Sequence, residues 1–527
     1  MSQKIFFGLL SICCLIVKFA VAANILYLCA LPSPSHQVWN SALADGLAAH
    51  GHNVTVIAPD IVENPPKGVH YIYLEGVYND EYRALQKSLF NVTELMNPLV
   101  EPVNYNRYWY WSCKVILETK GFQTLLQYPD DFRVDLIVYD FTPGACLLAF
   151  MHKFKNPPLV SVTAYGNPSL LNSIIGGHQY YSYVPHYYLH YENDMSIWQR
   201  LYNFAVHIIE LYDRGANFNP KLDALVREKF GPGYPSMTEL EQRTAIAFVN
   251  TNPTFNIPAP LPENVIAAGG LHIRDTKPLP KDLEQFIASA KKGAVLFSLG
   301  TNIRSSLMDV EKQEILLNAF KHFADYNFLW KFEDPTIDLK LPKNVMIQNW
   351  LPQSDLLAHP KIRAFFTHSG MLSTQEAIWR GVPILGMPFA YDQHANLLKS
   401  IRLGFAEGID FQTMTTEIIK EKLRKILEDP KYTKNARQLS ARFRDQKEKP
   451  LDRAVWYIEW LLRNPNAEFL KSPVLRLGFI SGNSFDVIAI ITIILTVILS
   501  FVAKLIISYV RQVIQDWDQG AYRLKAE

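Results

Sequence analysis

The chain is poor in cysteine, nearly balanced in charge and free of repeats, and each shortage removes a class of protein. Five cysteines occur in 527 residues, and Cys13 and Cys14 fall in an amino-terminal apolar run that reads as a removed leader. Cys29, Cys113 and Cys146 remain, too few to suggest a disulfide framework or a structural zinc site. One pair can form among these three, and the sequence does not select it. With 52 basic and 50 acidic residues the formal charge is +2, which argues against a nucleic-acid binder that relies on a strong basic field. No internal repeat or low-complexity domain is present. A single compact domain is not expected either, because cores stop growing at about 250–300 residues and longer chains divide.

Two apolar runs point to a membrane pathway. Lys4 precedes an apolar stretch over residues 5–17, and the small residues Ala20, Ala22 and Ala23 follow. This predicts a signal peptide over residues 1–23, cleaved after Ala22 or Ala23. Residues 487–510 carry no charge before Lys504, long enough to cross a hydrocarbon core about 30 Å thick. A transmembrane helix is therefore expected over 485–510. Lys504, Arg511, Arg523 and Lys525 lie toward the tail and Asp486 at the opposite edge, an asymmetry that puts the body in a lumen and residues 511–527 in the cytosol. The ending Arg523-Leu-Lys525-Ala-Glu527 half-resembles a basic retrieval signal. The expected location is the endoplasmic reticulum membrane, as a single-pass type I protein. Asn53-Val-Thr55 and Asn91-Val-Thr93 match the N-glycosylation pattern; Asn53 opens a predicted strand, so Asn91 is the better acceptor.

From Asn24 onward, short apolar strands alternate with helical stretches, the signature of parallel strands joined by helical crossovers. Strands are predicted over residues 25–30, 54–58, 136–139, 159–162, 246–250 and 265–267, with a helix near 38–50. Past the prolines Pro278 and Pro280 a second series follows over 294–299, 328–332, 345–348, 363–367 and 383–386. Open α/β sheets bind ligands outside the carboxyl ends of their strands, so two such sheets predict a cleft with one substrate on each side.

One window is dense in chemistry: Trp350-Leu-Pro-Gln353, Thr367-His368-Ser369-Gly370, Ser373-Thr-Gln-Glu376, Gly381-Val-Pro383 and Asp392-Gln393. A strand ending at Thr367, then His368, Ser369, Gly370 and a helix start, aims backbone N–H groups and an imidazole at one place, as an anion site requires. Ser373 and Glu376 also fit a capping box, and Asp392 fits an N-cap. The spacing across this window resembles the UDP-glycosyltransferase family in its membrane-bound animal branch, and the resemblance covers nearly the whole chain.

The resemblance implies the α/β arrangement called GT-B: two facing Rossmann-like domains, for the acceptor (residues 24–277) and the UDP-sugar (278–448), then a helix and linker (449–484) and the transmembrane helix. It further implies that Trp350 stacks on uracil beside Gln353, that Gly300 and Thr301 bring backbone near phosphate, and that His368 and Gly370 hold the diphosphate. Ser373 and Glu376 belong to the donor set, with Glu376 accepting from the ribose hydroxyls; Asp392 and Gln393 are assigned to the sugar. On the acceptor side His36, placed in the loop before the first helix, matches the base that removes the acceptor's proton, and Asp140 matches the carboxylate that orients it. The implied reaction is a single displacement with inversion at the anomeric carbon.

Two positions depart from the family pattern. Ser369 stands where a second glycine is common, adding a side chain near the phosphates or tilting outward. Leu372 stands where glucuronosyl-transferring relatives often have asparagine, which favours a neutral hexose and UDP-glucose as donor. No cofactor is expected, UDP-sugar being a co-substrate. No metal is expected either, because the only Asp-x-Asp is Asp516-Trp-Asp518 in the tail and a metal at the diphosphate needs acidic ligands beside it. The implied acceptor is a small lipophilic alcohol or phenol. The aromatic residues at 105–111 and 180–191 line a pocket, pack a core or meet the membrane interface. Homo- or hetero-oligomers are open, and so are two other functions: a catalytically impaired UDP-sugar-binding partner of an active relative, and a lipid carrier on the same shell.

Overall fold

The computed structural model describes residues 22–90, 97–166, 168–334, 336 and 339–524; the predicted leader, apart from its last two residues, and the glycosylation candidate Asn91 lie outside them. Seven parallel strands form the first sheet: β1 (Asn24–Leu28), β2 (Asn53–Ala58), β3 (Val69–Tyr73), β4 (Leu136–Asp140), β5 (Leu159–Thr163), β6 (Thr244–Val249) and β7 (Val265–Ala267). Their order is β3-β2-β1-β4-β5-β6-β7. The second sheet holds β8 (Gly293–Ser298), β9 (Tyr326–Lys331), β10 (Val345–Gln348), β11 (Ile362–Thr367), β12 (Ile384–Gly386) and β13 (Ala406–Gly408), all parallel, in the order β10-β9-β8-β11-β12-β13.

Both sheets follow the doubly wound order, in which the chain reverses direction between the first and fourth strands of the set. The central strands β4, β5 and β8 are buried along their whole length, which is why they read as continuous apolar runs rather than alternating ones. The strands the sequence did not announce, β3 and β13, are both at a sheet edge. β3 carries the exposed residues His70 and Tyr73, and β13 is only Ala-Glu-Gly, so neither has the apolar run that marks a covered strand.

The halves are joined by more than the linker. Leu89 and Phe90 of the first half are buried in the core of the second, where the Phe90 ring meets Phe389 and Phe411 at 5.3 and 5.4 Å. Asn302 donates to Ser33 Oγ at 3.0 Å, and Gln375 donates to the Asn250 carbonyl at 3.2 Å. The helix Pro450–Arg463 returns to the first sheet, burying Ala454, Val455, Ile458 and Leu461 against Trp39 and Leu43.

Cys113 and Cys146 form a disulfide, leaving Cys29 free and buried. Asn53 is exposed at the first residue of β2. At the carboxyl end, the helix Phe485–Leu524 contains an unburied stretch long and apolar enough to cross a membrane. The shorter helix Val474–Gly482 precedes it and leans on the first half, where His178 and Asn483 lie 3.4 Å apart.

Candidate active site

The two points of strand reversal face one another across a cleft of about 810 Å³. On the side of the first sheet the helix after β1 begins at Pro34 rather than near residue 38. Proline suits a first helical position because its missing N–H would be unpaired there anyway. His36 thus lies in the first turn of that helix and not in the loop before it, and Asn40 follows one turn later on the same face. Asp140 is the last residue of β4, on the other side of the reversal. His36 Nδ1 lies 3.4 Å from Asp140 Oδ2, and Asn40 Nδ2 donates to the same oxygen at 2.9 Å. Burial alone would raise the Asp140 pKa, but hydrogen bonds and charge from His36, with further bonds from Thr142 and Asn40, hold it below the ordinary carboxylate range. A carboxylate held ionised in this way can orient an imidazole bonded to it through Nδ1.

On the side of the second sheet, Gly300 follows β8 and His368 follows β11. The His368 ring is wedged between two glycines: a Cβ on Gly300 would stand 2.5 Å from its Cε1, and one on Gly370 2.5 Å from its Nε2. Gly300 also has φ +82, a conformation that side chains resist. Burial, then the neighbouring charge of Lys331, push the His368 pKa down to about 4, so at neutral pH the ring is an uncharged donor. Gly300→Ala is expected to displace the ring and lower kcat about 100-fold, the cost of misplacing a reacting geometry by about 1 Å; steady-state kinetics beside circular dichroism separates this from unfolding.

Ser369 does not tilt outward, and it is not among the residues that line the cleft. Its φ is +64, and the hydroxyl is buried without a partner among the described residues, within 2.5 Å of where a Cβ on Gly386 would stand. The left-handed backbone turns the side chain into the domain and its carbonyl toward Asn396, whose amide donates to it at 3.2 Å. Ser369→Gly is expected to stabilise the fold by about 1 kcal/mol by relieving this strain, read as a higher midpoint in calorimetry with UDP affinity unchanged.

The turn through Ser369 and Gly370 starts the next helix at Met371, with Gly370 as its N-cap. Ser373 and Glu376 are therefore inside the helix and do not form the expected capping box. They face Gln353 instead, whose Nε2 donates to Ser373 Oγ at 3.1 Å and to Glu376 Oε2 at 2.6 Å. Burial raises the Glu376 pKa to about 7, against the opposing effects of Gln353, Arg380 and Arg274. Trp350 stands at the lip of the cleft, 60% exposed, with Lys331 Nζ 5.8 Å from its ring centre. Thr301 lines the same cleft.

Asp392 occupies the N-cap position of the helix Gln393–Arg402 but makes no cap bond through its side chain. Its carboxylate accepts from Asn396 Nδ2 at 2.8 Å, and burial raises its pKa against the opposing pull of Asn396, Lys399 and His36. Gln393 Oε1 accepts from the backbone of Phe389 and Ala390 at 2.8 and 3.2 Å, which stiffens the loop and frees its amide for the cleft.

The fold therefore gathers His36, Asp140, Gly300, Thr301, Trp350, Gln353, His368, Gly370, Ser373, Glu376, Asp392 and Gln393 into or against one cleft. Sequence reasoning missed Asn40 and Lys331. The four-residue step from His36 was a usable signal for the first, once both were on a helix. Lys331 carried none: it is a strand-end residue 37 positions before His368, and only β9 beside β8 sets its Nζ 2.9 Å from the Gly300 carbonyl. The aromatic segments divide between the competing roles, since Tyr105 and Trp109 line the cleft while Trp109 is also core.

Residues 33–518 match the family model described as UDP-glucoronosyl and UDP-glucosyl transferase. The chain belongs to this family. It is therefore a UDP-glycosyltransferase. The enzyme is 28% identical to "UDP-glycosyltransferase UGT5" of Dactylopius coccus over 484 residues, 91% of this chain and 90% of the relative. It is 32% identical to "UDP-glucuronosyltransferase 2B9" of Macaca fascicularis over 384 residues, 71% and 70% of the two chains. Among solved structures, the glycosyltransferase VinC in complex with dTDP matches with TM-score 0.55 at 16% identity, over 82% of this chain and all of that one. The calicheamicin glycosyltransferase CalG4 matches with TM-score 0.52 at 19% identity, over 85% of this chain and 100% of that one. The fold of the enzyme is that of GT-B glycosyltransferases.

Proposed function

We propose that the enzyme transfers glucose from UDP-glucose to a hydroxyl of a small lipophilic alcohol or phenol, with inversion, on the lumenal side of the endoplasmic reticulum membrane. The observation that carries this reading is the opposition of His36–Asp140 to Gly300, His368 and Gly370 across one cleft, which Asp392 also lines. The acceptor oxygen attacks the anomeric carbon as His36 Nε2 takes its proton; the bond from that carbon to the diphosphate oxygen breaks, and UDP leaves with the electron pair. Asp140 stabilises the imidazolium. His368, Lys331 and the backbone at Gly300 and Gly370 meet the charge on UDP, donors placed before the reaction where charge will develop.

Glu376 accepts from the ribose, Trp350 stacks on the base, and Asp392 with the free amide of Gln393 holds the sugar hydroxyls. Leu372 lines the donor side of the cleft with an apolar surface, which suits a neutral hexose better than a carboxylated one. No metal is assigned, since Lys331 and His368 already supply polar and positive groups where the diphosphate would sit. The test uses the full chain in detergent, with chelator, offering UDP-glucose, UDP-glucuronate, UDP-galactose and UDP-N-acetylglucosamine with mixed phenols and lipophilic alcohols. A glucoside and free UDP are expected. Turnover confined to UDP-glucuronate would overturn the donor assignment, and UDP-sugar binding without turnover of any acceptor would favour an inactive partner.

A further inference from the structure

A second cluster of chemically able side chains lies in the acceptor half, away from His36. A cavity of about 160 Å³ meets the cleft at Tyr105, Trp109 and Tyr165, which line both. Its wall carries His186, His207 and Glu210, whose ligating atoms all lie within 4.8 Å of one another. His207 and Glu210 are three residues apart on the helix Ile197–Asp213 and so share a face; His186 comes from the aromatic segment before it.

Two members of this trio are satisfied. Glu210 accepts from Ser169 Oγ, and from His186 Nε2 at 3.2 Å. The backbone N–H of Tyr188 reaches His186 Nδ1 at 3.3 Å, which makes Nδ1 the acceptor and leaves the proton on Nε2. His207 differs. It is 3% exposed, and neither ring nitrogen has a partner among the described residues. Burial, then the neighbouring His186, push its pKa down to about 3, so the ring is neutral. A neutral imidazole offers one N–H donor and one lone pair, and a buried polar group left without partners is costly.

We propose that the cavity is a subsite for a second hydroxyl of the acceptor, bound by the unpaired ring of His207 at the end of the molecule opposite the oxygen that receives the sugar. A hydroxyl is the complement of a neutral imidazole, with one proton to give and lone pairs to accept. The surface between the two ends suits a flat, elongated body: Tyr165 packs edge-on against His36 at 5.1 Å, Tyr187 stacks with Tyr165 at 6.1 Å, and His186 stacks with Tyr187 at 4.4 Å. The preferred acceptor class is thus a rigid aromatic diol. A metal ion in the trio is disfavoured, because His186 keeps its Nε2 proton while Nδ1 accepts from Tyr188. This inference rests on the proposed attack at His36, and binding measurements separate the two.

The test measures binding by calorimetry, and turnover, for rigid diphenols of one, two and three rings against the matching monophenols. At least one diphenol is expected to bind about 10-fold or more tightly than its monophenol, the value of one hydrogen-bonded group. His207→Leu is expected to erase that preference and His207→Gln, which keeps a donor and an acceptor, to retain part of it. Should the leucine variant fail to fold, the ligand pairs on the parent and the glutamine variant still decide. Equal binding of all pairs by the parent, or a preference undiminished in His207→Leu, overturns the proposal. So does a preference that requires added zinc and disappears with chelator, since the trio would then hold a metal. A clear diphenol preference in binding with no glycoside from any donor would keep the subsite and remove the transfer reading instead.

Discussion

His36→Ala is expected to lower kcat by about 10²- to 10⁴-fold, the range that a positioned general base contributes, while leaving the affinity for UDP unchanged. The side chain lines the cleft from the first half, and its hydrogen-bond partner Asp140 belongs to that half too. Its Nδ1 is committed to Asp140 at 3.4 Å, so truncation removes the proposed base and leaves Asp140 with the bonds from Asn40 and Thr142. Asp140→Asn is expected to act in the same direction, because an amide can present its N–H rather than its oxygen to His36 and hold the wrong tautomer. Stopped-flow or steady-state turnover with the best acceptor, alongside UDP titration, checks both. Parent-like turnover by His36→Ala would remove the base assignment.

The second large effect concerns Glu376. Its carboxyl is buried beside Gln353 and titrates near neutrality, at about 7. In the proposed contact with the ribose, the ionised form offers two acceptor oxygens, whereas protonation turns one of them into a donor. As pH falls from 8 to 6 the proton returns, the carboxyl loses acceptor capacity and UDP binding weakens. Below the pKa the affinity is expected to fall about 10-fold per pH unit, as one unit corresponds to a tenfold change in the ionised fraction. Glu376→Gln is expected to raise the Kd for UDP by about 10- to 100-fold at pH 8, from loss of charge-assisted bonds, and to flatten the pH dependence. Calorimetric titration of UDP at several pH values reads both effects. A Kd that stays constant from pH 6 to 8 in the parent would show that this carboxyl does not hold the ribose.

Much of the site was legible in order along the chain. The apolar runs of β1, β4 and β8 announced buried parallel strands, and Asp140, Gly300 and His368 at or just past strand ends, with His36 in the helix after β1, stand at the carboxyl edge where doubly wound sheets bind ligands. The capping motifs were less reliable. Ser373 and Glu376 have the spacing of a capping box, but that spacing also puts two side chains on one helical face, and the backbone at Ser369 and Gly370 decided between them by starting the helix at Met371. Asp392 had the residue type of an N-cap and spends its carboxylate on Asn396.

Local pattern therefore determined the strands, the two α/β halves, the carboxyl-terminal apolar helix and the residue types of the donor window, because these follow from hydrophobic periodicity and from spacing within one segment. Tertiary structure alone decided the rest. It paired Cys113 with Cys146, seated Phe90 in the other half, turned Ser369 inward and brought Lys331 to Gly300. It also set His207 at the end of an aromatic cavity with no hydrogen-bond partner among the described residues. Each of these depends on which distant segments share a wall, and burial, charge and hydrogen-bond partners across such a wall come from the packing of both segments rather than from the sequence of either.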